Sequence, residues 1–363
     1  MRRIENDDRG ASMVFIAICL VFLIGFAGLA VDVGALYAER TELQKGAEAA
    51  VLAIAEDCGR GVSPCDIPTA TATAEDYIDD NARDLAGAVD SLDLDLAAQE
   101  VTVIDRTERT DGGGVFLPFF AQVIGFTGST VRSQASAAWG APGSLATLPI
   151  AISECAYLDY GPATSWPQWE EPFVIPSSPP IYFGFHGDTT ETAACSHDNP
   201  SGQDLPGGFG WLSTDGACET ETDSGGWAPG HTGVDEPDDC YAAIFKAMIG
   251  TVVPLPFFDE MTGTGSSAQF HIAGYAPFYV TGYDLHPGGG PNWEEPSRYD
   301  GLSMCLDWEV LSTDPTDPAN RVEKHAEDLV CIEGYFVDGY TWPDGDPDPD
   351  AEYRGILIVK LTG

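Results

Sequence analysis

Positive charge is what this chain has least of. Against 58 Asp and Glu stand 16 Lys and Arg, a formal net charge of −42 over 363 residues. The shortage is sharpest after residue 60, where 10 bases face 49 acids. A field of that sign repels phosphates and anionic headgroups, which excludes nucleic acid as a partner class. Catalytic signatures are missing too. The six histidines (His186, His197, His231, His271, His286, His325) include no HExxH pair, so a zinc protease helix is absent. No GxSxG elbow occurs, and no CxxC spacing marks a zinc or redox site. The glycine-rich stretches at 207–210 and 288–290 lack the lysine of a phosphate loop and read as turns. Cys195-Ser196-His197-Asp198 is the densest polar cluster and reads as a half-cystine beside an exposed imidazole. Adjacent acids such as Glu170/Glu171 and Glu294/Glu295 arise without design in so acidic a chain, and only geometry would make a glycosidase pair of them. The sequence therefore predicts no catalytic residue and no cofactor.

One long stretch lacks charge altogether. Residues 11–31 are 21 positions without an acid, a base or a proline, ~31 Å as a helix, enough to cross a ~30 Å hydrocarbon core. Beyond it the pattern turns amphipathic. Leu36, Leu43, Ala47, Val51 and Ile54 recur at helical spacing, while Glu39, Arg40, Glu42, Gln44, Lys45 and Glu48 fill the other face. The reading is one helix over 11–57, membrane-spanning first and a stalk after, its apolar stripe available to partner helices. Arg2, Arg3 and Arg9 precede the span, so the positive-inside rule puts the N-terminus in the cytoplasm and the bulk outside, a single-pass cell-membrane protein.

The order of residues in this segment is also distinctive. Arg9-Gly10 leads into the apolar run. Then come Gly28-Leu29-Ala30-Val31-Asp32-Val33-Gly34, Leu36-Tyr37, Arg40, Leu43-Gln44 and the alanine-rich turn Ala49-Ala50-Val51-Leu52-Ala53-Ile54-Ala55. It resembles the N-terminal segment of TadE/TadG-like proteins of the Flp (tight adherence) pilus system, with Glu48 at a usual aspartate. Processed pilins of that system carry Glu at the fifth position after the glycine. Here Phe15 stands there, so the resemblance favours the uncleaved TadG-like branch. It implies a membrane-anchored, non-enzymatic part of Flp/Tad pilus assembly or surface adhesion, with pilins or other assembly proteins as partners.

The other expectations concern the rest of the chain. Cys19 lies in the span. The remaining eight cysteines, Cys58, Cys65, Cys155, Cys195, Cys218, Cys240, Cys305 and Cys331, are an even number in an exported chain and predict disulfides. Cys58–Cys65 is the first choice, Cys195–Cys218 and Cys305–Cys331 the next. The fold class is α+β: a tail over 1–10, the helix over 11–57, a small pilin-like α/β module over 58–143, and a mostly antiparallel β-rich domain over 144–363. Within the module a helix is expected over 69–88, a hairpin around Leu92–Leu96 and Val101–Val103, a short buried helix over 116–125, and a strand over 130–139, with residues 140–143 as the boundary. Further strands are expected over 148–153, 181–185, 269–273, 278–283, 304–310, 329–337 and 354–360, and a helix over 239–249. Asp344, Asp346, Asp348 and Asp350 alternate like the first ligands of a calcium loop, without its closing glutamate, in what reads as a disordered acidic loop. Trp166, Trp169, Trp211, Trp227, Trp293, Trp308 and Trp342 would fill a loop-rich core or stack on envelope glycan. An anchored envelope hydrolase or a carbohydrate-binding adhesin independent of any pilus is the alternative function.

Overall fold

The computed structural model describes the chain outside residues 1–8, 84–85, 110, 155–165, 177, 179, 185–208, 215, 232–236, 241, 264–266, 285–296, 299–306, 311–320, 325–330 and 363. It divides into two compact units, residues 1–138 with 360–363, and residues 139–359.

The first unit is built on helix α1 (Arg9–Arg60), 52 residues without a break. Its charge-free first half is exposed, while Leu43, Ala47, Ala50, Val51, Ile54 and Ala55 in its second half are buried. They pack on helix α2 (Ile67–Asn81), whose own inward face is Ala70, Ala74 and Ile78. Asp66 caps α2, its Oδ1 accepting the Thr69 N–H at 2.9 Å. Gly46 lets the two helices close up, since a Cβ there would lie 3.2 Å from the Ile78 Cα. Strands β1 (Gly87–Asp95) and β2 (Glu100–Thr107) form an antiparallel hairpin, and β2 pairs with the first half of β3 (Arg132–Thr147). Along β2 every second residue is buried, Val101, Val103, Asp105 and Thr107, and α1 packs against this strand.

Four of the five stalk residues expected to face partners, Leu43, Ala47, Val51 and Ile54, are thus consumed inside their own unit; only Leu36 stays exposed. The amphipathic pattern was a core pattern, because α2 and β2 supply the apolar surface it needs. Residues 140–143, the expected boundary, hold no break in the strand. They continue β3, and the division between units falls inside that strand.

The second unit is β-rich. Its main sheet has the order β5 (Ile181–Gly184), β14 (Cys331–Phe336), β10 (Gln269–Asp284), β9 (Val252–Thr262), β4 (Ile150–Ser153), β6 (Phe209–Trp211), with β8 (Trp227–Pro229) and β11 (Ser297–Arg298) also on β10. All pairings are antiparallel except β4 with β9. The second half of β3 pairs with β7 (Thr220–Asp223) and β16 (Asp346–Asp348), and β17 (Ile356–Leu361) runs parallel to β15 (Tyr340–Trp342). β12 (Asp307–Val310) and β13 (Arg321–Lys324) form a separate hairpin. A short helix covers Ala242–Met248. The core is aromatic: Phe183, Trp211, Phe245, Phe257, Phe278 and Phe336 form one cluster, and Phe258, Phe270 and Tyr275 anchor another. The expected strands at 269–273 and 278–283 are one strand, β10.

Cys58 is bonded to Cys65 just past α1, and Cys218 to Cys240 inside the larger core cluster. The expected Cys195–Cys218 pair is therefore corrected: Cys218 is taken by Cys240, 22 residues on, where the chain returns to the same core. Cys155, Cys195, Cys305 and the Cys331 side chain lie outside the described residues.

Candidate functional site

Sequence reasoning placed a short buried helix over 116–125. The structure has instead a turn that caps on α1 and shows its apolar side chains outward. It contains one stretch of 3-10 helix, Ala121–Ile124. Phe119 is 78% exposed, Val123 87% and Ile124 77%. A single carboxylate, Asp32, holds this turn. Its Oδ1 accepts from the Phe119 N–H at 2.7 Å, its two oxygens from Phe120 N–H at 3.0 and 2.9 Å, and its Oδ2 from Ala121 N–H at 2.6 Å. These are the orphan donors at the start of a helical turn, and a carboxylate is the side chain suited to them. Asp32 itself is 6% exposed. The Phe120 ring lies over Gly28, where a Cβ would stand 2.9 Å from its Cγ. Two apolar grooves flank the contact, one bounded by Val21, Phe22 and Gly25 with Val123 and Ile124, the other by Leu29, Val33 and Leu36 with Phe116 and Phe126. The sequence signal that could have found the site is Asp32 itself, an acid immediately after a membrane-length apolar run, which needs a partner to stay there.

Farther along α1, polar side chains tie the helix to β3. The Ser133 Oγ–H donates to Gln44 Oε1, and Gln44 Nε2 donates to Glu48 Oε1 at 2.7 Å. Asp105 sits on the core-facing side of β2. Its Oδ1 accepts the Ser133 N–H at 3.0 Å, while its Oδ2 has no hydrogen-bond partner among the described residues. Burial pushes its pKa up to about 7, with the Glu39 charge adding to the rise against the two backbone hydrogen bonds. The native state thus keeps this proton up to about pH 7, whereas an unfolded aspartate releases it near ~3.9. Fewer protons on the unfolded chain across that window mean that this group's contribution falls as pH rises through it. The expected result is that Asp105→Asn flattens the loss of first-unit stability between about pH 4 and about pH 7, read as the difference in urea midpoint from wild type. Equal midpoints at every pH would refute the assignment.

In the second unit one polar cluster joins His271 and Asp259 beside Trp227. His271 Nδ1 lies 2.6 Å from Asp259 Oδ1 and Nε2 lies 3.1 Å from the Gly225 carbonyl, with the Trp227 ring 5.2 Å away. Both ring nitrogens face acceptors, so the hydrogen bond to Asp259 raises the imidazole pKa over the opposing effect of burial. The stabilisation is complete below the ordinary histidine pKa and is lost as pH rises through the raised one. NMR titration of the His271 ring should give a midpoint above the ordinary value, moved down by Asp259→Asn. A midpoint unmoved by that substitution would refute the pairing.

The other expected site residues are dispersed. No group of three His, Cys, Asp or Glu side chains among the described residues is arranged to hold a metal ion. Of the four alternating acids, Asp346 and Asp348 belong to β16, paired with β3, while Asp344 and Asp350 flank that strand in a bend and a turn. Residues 346–348 are a strand where a loop was expected. Trp166 and Trp211 are core residues, Trp169 packs among Phe173, Tyr279 and Tyr340, and Trp342 packs on the second core cluster. Trp227 is exposed. Trp293, the Trp308 side chain, Glu294, Glu295 and the cluster at 195–198 lie outside the described residues, while Glu170 and Glu171 are exposed.

Among the described residues one helix, α1, is long and apolar enough to cross a membrane. No curated protein and no solved structure matches the chain. Residues 10–56, which hold the apolar run, Asp32 and the buried half of α1, match the Tad family of Flp pilus-assembly TadE/G-like proteins.

Proposed function

We propose that this protein is a membrane-anchored, non-enzymatic component of Flp/Tad pilus assembly. Its N-terminus lies in the cytoplasm, and its disulfide-stapled β-rich unit is presented outside the cell for adhesion or envelope contact. The observation that carries the reading is that the family-matched segment and helix α1 coincide, and that this helix continues from a lipid-length apolar half into the core of a folded unit. The residues of the matched segment divide by role. Those at 43–55 that are buried build the fold. Val33 and Tyr37, 65% and 73% exposed, lie just past the apolar run, Val33 at the rim of the groove with Phe116 and Phe126. They are the surface we assign to pilins or other assembly proteins, because long helices associate through such apolar positions.

The test is a pull-down of the full chain from gently solubilised membranes, with a Val33→Asp/Tyr37→Asp chain alongside. Both should melt alike, and only the wild type should recover small pilins or assembly proteins. Recovery of no such partner by either chain would remove the pilus role.

A further inference from the structure

We infer that residues 116–126 make a second contact with the bilayer, the turn entering the same leaflet that α1 leaves. The inference rests on the reading that α1 spans the membrane. Three observations carry it. First, the position of the turn is fixed by Asp32, but its tip points back along the apolar half of α1, where Val123 and Ile124 border a groove with Val21 and Phe22. Asp32 to Val21 is ~16 Å along a helix axis, so the tip lies at the depth of hydrocarbon and not of solvent. Second, residues 112–131 are 20 consecutive positions without a charge in a chain carrying 74 charged residues. Phe119, Val123 and Ile124 are among the most exposed apolar side chains on the protein. Third, the backbone is prepared for a medium without water. Asp32 takes three N–H groups. Phe116 and Ser129 exchange both of theirs at 2.9 and 3.1 Å, and Val123, Gly125 and Phe126 donate within the turn. Gln122 Nε2 donates to the Pro118 carbonyl at 2.8 Å. Irregular backbone survives at membrane depth only where its polar groups are satisfied in this way.

The partner is the acyl-chain region of the bilayer. With a net charge of −42 the protein has no electrostatic attraction to anionic headgroups, so apolar burial must drive the contact, and added salt should leave it unchanged. Functionally, a helix and a turn on one leaflet give the anchor two footholds. They fix how α1 leaves the membrane and therefore how Val33 and Tyr37 are presented.

The full chain is reconstituted in phosphatidylcholine/phosphatidylglycerol vesicles with benzoylphenylalanine replacing Val123, Phe22 or Leu96, then irradiated and analysed for lipid adducts by mass spectrometry. Leu96, exposed in the β1–β2 turn, is the aqueous control. Lipid adducts at 123 comparable to those at 22, absent at 96 and unchanged by salt, are the expected result. Adducts at 22 alone would overturn the second contact and leave the anchor standing, and adducts at neither would overturn both. A protein–protein adduct at 123 in place of lipid would mean that a second copy covers the turn, which also overturns the inference.

Discussion

Val51→Asp should unfold the first unit while leaving the second unit's melt in place. Val51 has no exposed surface, and it lies among Ala47, Ala50, Ile54 and Ala55 on the face that α1 turns toward α2 and β2. An aspartate there has two options. It can stay ionised without a partner, or it can take up a proton at neutral pH and still bury a polar group where methyl groups packed. Either way the loss exceeds about 4 kcal/mol, against a total of roughly 5–15 kcal/mol for a domain. Relaxation offers little escape, because moving the helices apart to admit a carboxylate would give up the close α1–α2 packing at Gly46 and Ile78. The measurement is thermal unfolding of the full chain in detergent, by circular dichroism with amide exchange resolving the two units. Tyr37→Asp, on an exposed position of the same helix, should move the melt by no more than about 0.5 kcal/mol. A Val51→Asp chain that melts like wild type would show that the α1–α2–β2 packing does not hold the unit together. One consequence is practical. A pull-down that fails with charges at Leu43 or Val51 reports loss of fold, not loss of a partner surface.

That consequence shows where sequence reading reached its limit. The apolar run of membrane-crossing length, the continuity of α1 and the hairpin at 92–103 were legible, since each is a local pattern that periodicity alone encodes. What covers an apolar stripe is not local. Leu43, Ala47, Val51 and Ile54 look the same whether their cover is a pilin or α2, and only the return of residues 67–81 to the same face decides. The tetrapeptide Leu-Pro-Phe-Phe makes the same point twice. At 117–120 it is an exposed turn held by Asp32, while at 255–258 it is the buried middle of β9. Strand β9 was missed because Pro254 and Pro256 argue against a strand. Standing two apart, they lack their N–H groups on one edge, where β4 pairs only from Phe257 onward, so the ladder with β10 survives them. Glycines at 140 and 143 marked the expected boundary, yet β3 runs through both, and at 143 a Cβ would stand 2.9 Å from the Asp348 side chain of β16. That β16 segment is acidic and proline-rich, with every local mark of a loop, and becomes a strand only because β3 lies beside it. Cys218 finds Cys240 for the same reason: core topology, not spacing, chooses the pair.

Asp32→Ala is the substitution that separates the turn from the anchor. The carboxylate is the one side chain that satisfies the Phe119, Phe120 and Ala121 N–H groups, and its removal leaves three donors unmet beside the apolar half of α1. Hydrogen bonds to a charged group contribute roughly 1.5–3 kcal/mol each and do not add fully when they share one acceptor, so the turn should lose about 3–5 kcal/mol. At ~1.4 kcal/mol per factor of ten, its amides should exchange roughly 10²- to 4 × 10³-fold faster in vesicle-reconstituted chain. Exchange in β2 and α2, which touch neither Asp32 nor the turn's donors, should stay as in wild type. Asp32→Asn keeps one oxygen in place without the charge, and its exchange rates should fall between the two. The ranking wild type, Asn, Ala follows from charge-assisted donation alone. A merely steric role for Asp32 would let Asn behave as wild type, and that outcome, or an unchanged rate at Phe119–Ala121 in the Ala chain, would dismiss the latch. Asp32 also has its own reason to be bound. On the proposed reading of α1 as a membrane anchor, an ionised carboxylate at the edge of its apolar run is costly unless donors surround it, and the turn supplies them. Each side of the contact therefore removes the other's liability: the acid gains three donors, and the turn gains the cap that lets an irregular backbone stand against the apolar half of α1.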